Sequence, residues 1–435
     1  MNVRIERTTL VWIARLIVFA WCLIPARGDV LEDWAGLYLR ALKAENTPPP
    51  LGSRNTALFA VAVADAVNAI GHQWKTFVFA TNADEVADPQ AAVAAAAYRI
   101  GTAVFPSRRA EFDALWQQTG SNTTSDPARL AGFKIGRASA EALLEARSTD
   151  GANTQQPYIP SDRPGAWRRT MPFFRPPELT HWRHVRPFAL DRPSQFRPLG
   201  PGSPDSGRVL EDYRMTFSLG GKSSRDRTPD QTQAAYFWSD FSGTVTPPGH
   251  WVQITLALAA SNRLDLPDKV RLFALVQVAS ADAAIACWDA KYLYNSWRPV
   301  TAINALKIGA GSDGSESAWE PLLPTPAHPE YVSGHSTFSG AAAEVLRRWF
   351  GRDDLAFDVE SDTVPGVRRH FPTLTAAARE IGMSRIWGGI HFRSADHDGA
   401  ELGRQVGAWV SRTCFVPVAK AGEPIAVPGV PKNTR

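Results

Sequence analysis

Cysteine is scarce in this chain. Only Cys22, Cys287 and Cys414 occur among 435 residues, which excludes a disulfide-stapled scaffold. Their spacing from the nine histidines suggests no zinc site. Cys287 reads as a buried helical residue, with a single bridge to Cys414 as the other possibility. Net charge is also scarce. The formal charge is +4, but the first 28 residues carry four arginines and one glutamate, and without them 43 basic residues face 42 acidic ones. No dominant basic stripe is left for a phosphate backbone, so nucleic acid is not expected as a partner and any anion preference must be local. Internal repeats, low-complexity tracts and strand-like alternation are lacking too. With 44% hydrophobic and 21% charged residues, the chain is globular rather than disordered or fibrous.

The N-terminus differs from the rest. Arg4 and Arg7 precede an apolar run from Leu10 to Pro25, and Ala26-Arg27-Gly28 offers small residues for cleavage, the layout of a secretory signal peptide over residues 1–28. A membrane anchor is the alternative, but Arg15 interrupts a run already shorter than the roughly 20 residues a span requires. Cys22 lacks the small-residue context of a lipoprotein cysteine. The expectation is a secreted or periplasmic protein, with no later segment long and apolar enough to cross a bilayer.

Helical spacing dominates the remainder, which predicts an all-α, multi-helix bundle fold. An N-terminal helical region spans 29–226, with helices opened by Asp88-Pro89 and Asp126-Pro127. Within it, residues 151–226 are rich in proline, arginine and aromatics and read as a long ordered loop packed as a coat over helices. That coat could also contact a second copy in a homodimer. A C-terminal helical domain covers 227–420, including a long helix from about Pro267 to Ser296 and others over 336–350, 375–383 and 399–413. Residues 421–435 form a tail.

The residues suited to chemistry fall in three segments of the C-terminal domain. Lys291 and Arg298 stand seven apart, about two helical turns, which would place two cations on one helix face, with Pro299 ending the helix beside a cavity. Taken alone, a solvated cationic helix face explains them better. Ser333-Gly334-His335 precedes an Ala-rich helix, whose first-turn N–H groups and partial positive charge suit an anion, while His335 could move protons. Arg385 offers a planar fork for oxyanion oxygens and His391 an imidazole nitrogen, with Gly388-Gly389 allowing a close turn between them.

Together these segments resemble the signature shared by type 2 phosphatidic acid phosphatases, bacterial class A acid phosphatases and vanadium-dependent haloperoxidases. That signature runs Lys-x6-Arg-Pro, Pro-Ser-Gly-His, then Ser-Arg-x5-His-x3-Asp. The resemblance implies that Lys291, Arg298, Ser333, Gly334 and Arg385 hold the oxygens of vanadate or phosphate and that His335 is the acid/base. His391 would be the ligand to vanadium in a haloperoxidase or the phosphohistidine nucleophile in a phosphatase. This sequence departs twice from the pattern. Val332 replaces the proline, and Ala395 sits four after His391, where an aspartate usually orients the ring. Asp396 and Asp398 are the candidate substitutes.

Surrounding features favour the haloperoxidase branch, here the bacterial haloperoxidase-like proteins. Chain length, the N-terminal helices and the Pro-rich coat resemble those proteins. Trp288 matches a tryptophan beside the halide site of fungal chloroperoxidases. His328 matches the position where algal bromoperoxidases carry histidine and chloroperoxidases phenylalanine. The resemblance therefore implies a vanadate cofactor, with hydrogen peroxide, halide and a small organic acceptor as partners, and bromide or iodide rather than chloride. An exported acid or lipid phosphatase without that cofactor is the alternative, and a phosphate-binding protein without turnover a third reading. His72, His181, His184, His250, His370 and His397 show no metal-ligand pattern.

Overall fold

The computed structural model describes residues 29–81, 86–119, 125–159, 161–203, 206–309 and 318–418. The signal-peptide segment and the 421–435 tail lie outside the described residues. Thirteen α-helices are present among those described, with one small antiparallel hairpin.

Proline and aspartate start many of them. In the N-terminal half the helices are α1 (Val30–Ala44), α2 (Pro49–Gly71), α3 (Pro89–Val104), α4 (Arg109–Gln118) and α5 (Pro127–Ala146). The Asp88 and Asp126 side chains cap α3 and α5 by accepting from Gln90 and Ala128 N–H, and proline follows each at the first helical position. Helices α2, α3 and α5 pack closely. A Cβ on Gly136 would lie 2.1 Å from the Ala92 carbonyl, so only glycine allows α5 to approach α3 this closely.

The second half contains α6 (Gly207–Gly220), α7 (Pro229–Phe237), α8 (Thr246–Ser261), α9 (Leu266–Tyr294), α10 (Pro299–Ala305), α11 (Gly334–Phe350), α12 (Leu374–Trp387) and α13 (Arg393–Thr413). Strands β1 (Phe357–Glu360) and β2 (Arg368–Phe371) pair between α11 and α12, with Phe357 opposite Phe371. Helix α9 is the shared core element, packing on α2 to one side and on α11 and α13 to the other. It is long and apolar enough to cross a membrane, contrary to the sequence expectation, but its apolar stretch is buried inside the protein. Asp282 and Asp289 on it face protein partners.

The 151–226 segment is ordered as expected but is not all loop, since it contains α6. Its coat is tied to α9 by polar contacts. Asp282 accepts from the N–H groups of Phe188, Ala189 and Leu190, and Arg197 pairs with Asp289 at 2.6 Å. Its own Trp167 and Trp182 are buried. Cys287 and Cys414 are both buried and free, so no bridge joins them.

Candidate active site

Three chain reversals bring the signature residues together. Helix α9 ends at Tyr294, because Asn295 takes a left-handed conformation (φ 51°) and returns its N–H to the Lys291 carbonyl. Arg298 is therefore not on the same helix face as Lys291. It precedes α10, which Pro299 opens rather than α9 being closed by it. The two cations converge through the turn, not through helical spacing.

Lys291, Arg298 and Arg385 are all buried, and burial lowers their pKa values to about 8, 10 and 9 respectively. The Lys291 ammonium donates to the carbonyls of Pro329, Glu330 and Val332. It thus holds the 329–333 turn and supplies fixed positive charge from behind it. Arg298 positions the histidines. Its guanidinium donates to the His328 carbonyl, to the Ile390 carbonyl, to His391 Nε2 at 3.2 Å and to His328 Nδ1 at 2.9 Å.

Because arginine can only donate, His391 Nε2 carries a lone pair. Its other nitrogen, Nδ1, lies 2.9 Å from Glu330 Oε1 and donates to it. The Phe392 N–H donates to the same oxygen. Burial and the surrounding cations hold the His391 pKa well below its ordinary value, so the ring is neutral. The orienting carboxylate is therefore Glu330. Asp396 instead accepts from Ser336 Oγ at 2.6 Å, and Asp398 from the Tyr331 hydroxyl. The reason is that α13 begins at Arg393, six residues earlier than its periodicity suggests, and carries both aspartates away from the ring. Asp396 still supports the pocket indirectly, since Ser336 Oγ, its proton turned to Asp396, accepts from the Ser333 hydroxyl at 2.9 Å.

Helix α11 starts at Gly334 with Ser333 as its cap. First-turn N–H groups lack intrahelical acceptors, so the helix start at Gly334 and His335 is a natural anion seat. His335 Nε2 lies 3.0 Å from the Trp238 carbonyl, which requires that nitrogen to carry the proton and leaves Nδ1 as its basic atom. Asp240 stands 3.8 Å from the same ring and also bonds His250 Nδ1 at 3.2 Å. Burial and Arg385 hold the His335 pKa well below the ordinary range.

These groups border a cavity of about 330 Å³. Gly334, His335, Arg385, His391, Trp288 and His328 line it, while Lys291, Arg298 and Ser333 stand behind its wall. The Trp288 and His328 rings lie 5.0 Å apart. His328 Nδ1 also lies 3.2 Å from the Pro329 carbonyl, but the shorter Arg298 contact makes that nitrogen an acceptor. Arg385 donates to the Trp238 carbonyl at 2.7 Å, and its buried Nε has no partner among the described residues. An unpartnered buried guanidinium N–H, helix-start amides and a neutral imidazole whose Nε2 lone pair meets only the Arg298 guanidinium are the set that would hold a tetrahedral oxyanion through one nitrogen, with Arg298 turning from that lone pair to the anion. Vanadate fits it. Glu330, Asp240 and His250 escaped sequence reading, although Glu330 lies only three residues before Ser333.

Residues 271–417 match the family model described as the VCPO second helical-bundle domain. The crystal structure of a bacterial vanadium-dependent iodoperoxidase superposes with a TM-score of 0.77 at 29% identity, covering 88% of this chain and 95% of that one. The likeness to vanadium-dependent haloperoxidases thus takes in residues 271–417 by sequence and most of the chain by fold. Among curated relatives, vanadium chloroperoxidase of Curvularia inaequalis is 29% identical over 244 residues, or 41% of this chain and 39% of that protein. The bromoperoxidase of Corallina officinalis is 34% identical over 92 residues, 19% of this chain and 15% of its own. The chain thus spans well under half the length of these curated relatives. A bacterial vanadium-dependent chloroperoxidase shares the fold, with a TM-score of 0.66 at 19% identity over 84% of this chain and 92% of that chain.

Proposed function

We propose that this protein is a vanadate-dependent haloperoxidase that oxidises halide with hydrogen peroxide and passes the halogen to a small organic acceptor. The observation that carries the reading is the fixed tautomer of His391. Glu330 holds the Nδ1 proton, so Nε2 is presented as a neutral ligand atom. Bound there, vanadate supplies a Lewis acid that activates peroxide toward halide. Arg385 and the Gly334 N–H would hold its oxygens, and Lys291 and Arg298 would balance its charge from behind the wall. His335, with Nε2 turned to the Trp238 carbonyl, would use Nδ1 to take a proton from entering peroxide and return it to leaving water.

Trp288 and His328 form the side of the cavity suited to halide. A histidine there, together with the likeness to an iodoperoxidase, supports bromide or iodide over chloride. Protein loaded with orthovanadate is expected to convert iodide to triiodide and to brominate a phenolic dye with peroxide. Absence of both between about pH 5 and 8 would sink the reading.

A phosphatase reading draws on the same His391 geometry, since a neutral imidazole with its lone pair on Nε2 is also a nucleophile. Turnover of an aryl phosphate, inhibited by vanadate and lost in His391→Ala, would favour it. The leader pattern in residues 1–28 supports export as part of either reading, which N-terminal sequencing of the secreted protein tests.

A further inference from the structure

The wall of the active-site cavity is chemically selective. Hypohalous acids attack thiols, thioethers, indoles and phenols rapidly and leave proline and benzene rings alone. Five prolines line the cavity, including Pro172 and Pro326, together with Phe173, Phe241 and Phe338. No tyrosine or cysteine lines it among the described residues. Tyr292 and Tyr331 turn their hydroxyls to the Glu178 carbonyl and the Asp398 carboxylate, and Cys287 is buried. Besides the imidazoles of His328, His335 and His391, which also take halogen, two easily oxidised side chains remain. Trp288 is deep, 3% exposed, whereas Met171 is 68% exposed and so stands at the mouth. Methionine itself is scarce, four in the chain, and Met215 and Met383 are only partly exposed and lie outside the cavity lining.

We propose that Met171 is an oxidation site built into the exit, where its thioether consumes hypohalous acid that no acceptor has taken. This rests on the haloperoxidase reading. The Sδ lone pair attacks the halogen and displaces hydroxide. Water then adds at sulfur and halide leaves with two protons, one of which neutralises the displaced hydroxide, so the net products are sulfoxide, halide and one proton. Sulfur loses two electrons and the halogen gains them, so halide is returned while surplus oxidant is removed before it reaches other side chains. The product is a methionine sulfoxide, reversible by reductases and far more polar than the thioether.

Vanadate-loaded enzyme turning over bromide and peroxide, with free methionine in the bulk as quencher, is followed by peptide mass mapping. Triiodide formation by the same preparation is measured first, so loss of that activity marks failure of the functional reading alone. The expected result is gain of one oxygen at Met171 at least roughly fivefold faster than at Met215 or Met383, sustained despite the quencher. It should also depend on halide, and added reagent hypobromous acid should not reproduce it under the same quencher. In Met171→Leu, initial triiodide formation is expected to be unchanged, with oxidation appearing earlier on the peptide carrying Trp288. An active enzyme whose Met171 oxidises no faster than the other methionines, or equally fast without halide, overturns the proposal.

Discussion

Glu330 Oε1 lies 2.9 Å from His391 Nδ1 in a fully buried pair. This contact fixes which nitrogen of the ring carries the lone pair, and Arg298 on the opposite side donates to that nitrogen. A carboxylate behind a ligating histidine raises its basicity and locks its orientation, and losing such a partner commonly lowers metal affinity about 10–100-fold.

Glu330→Gln should therefore weaken vanadate binding by roughly 10–100-fold, measured by isothermal titration. Asp396→Asn, two shells away through Ser336 and Ser333, should change it by less than about threefold. Equal effects from the two substitutions would contradict the assignment of Glu330.

His335→Ala removes a proton carrier rather than a ligand. Vanadate affinity is expected to stay within several-fold, whereas the rate of halide oxidation drops by about 10²–10⁴-fold. Titration and steady-state kinetics on one preparation separate the two. A variant that loses binding and rate together would place His335 among the anchoring groups.

Gly403→Ala should destabilise the fold without touching the cavity. An added Cβ at this α13 position would stand 2.1 Å from the Thr337 carbonyl of α11, and relieving such overpacking costs on the order of 1–3 kcal/mol. Urea unfolding measures the cost. An unchanged midpoint would mean the two helices are free to separate.

Asp282 gives stability a pH dependence. Burial pushes its pKa from 3.8 up to about 6 even though three backbone N–H groups favour the charged form. Between those values the folded chain retains a proton that the unfolded chain has released. The contribution is therefore fully present below the unfolded pKa and is lost as pH rises through about 6. The loss amounts to about 3 kcal/mol. The stability of the protein relative to Asp282→Asn should accordingly be greater near pH 4 than near pH 7, as urea midpoints would report. A constant difference would show that Asp282 ionises normally in the fold.

Much of the architecture follows from local rules. Aspartate-proline pairs at 88–89 and 126–127 start helices as their chemistry requires, and periodicity locates α9 and α11 to within a few residues. Local rules failed where the chain's direction depends on a single residue or a short segment. Helix α6 lies hidden in a proline-rich stretch, α10 begins at the proline expected to end α9, and the four-residue strands are too short for periodicity to register.

The sequence by itself determined the chemistry of the pocket: three cations, a serine-glycine helix start and two histidines, each recognisable because their residue types and order suit one tetrahedral anion. Which acid stands behind His391 was decided only by tertiary structure. Sequence distance favoured Asp396, five residues on, but the early start of α13 rotates that side chain toward Ser336. The Lys291 ammonium meanwhile pins the 329–333 turn so that Glu330, 61 residues away, meets the imidazole. A hydrogen bond is set by where atoms arrive after the backbone turns, and neither the left-handed Asn295 nor that pinned turn leaves a trace in residue spacing.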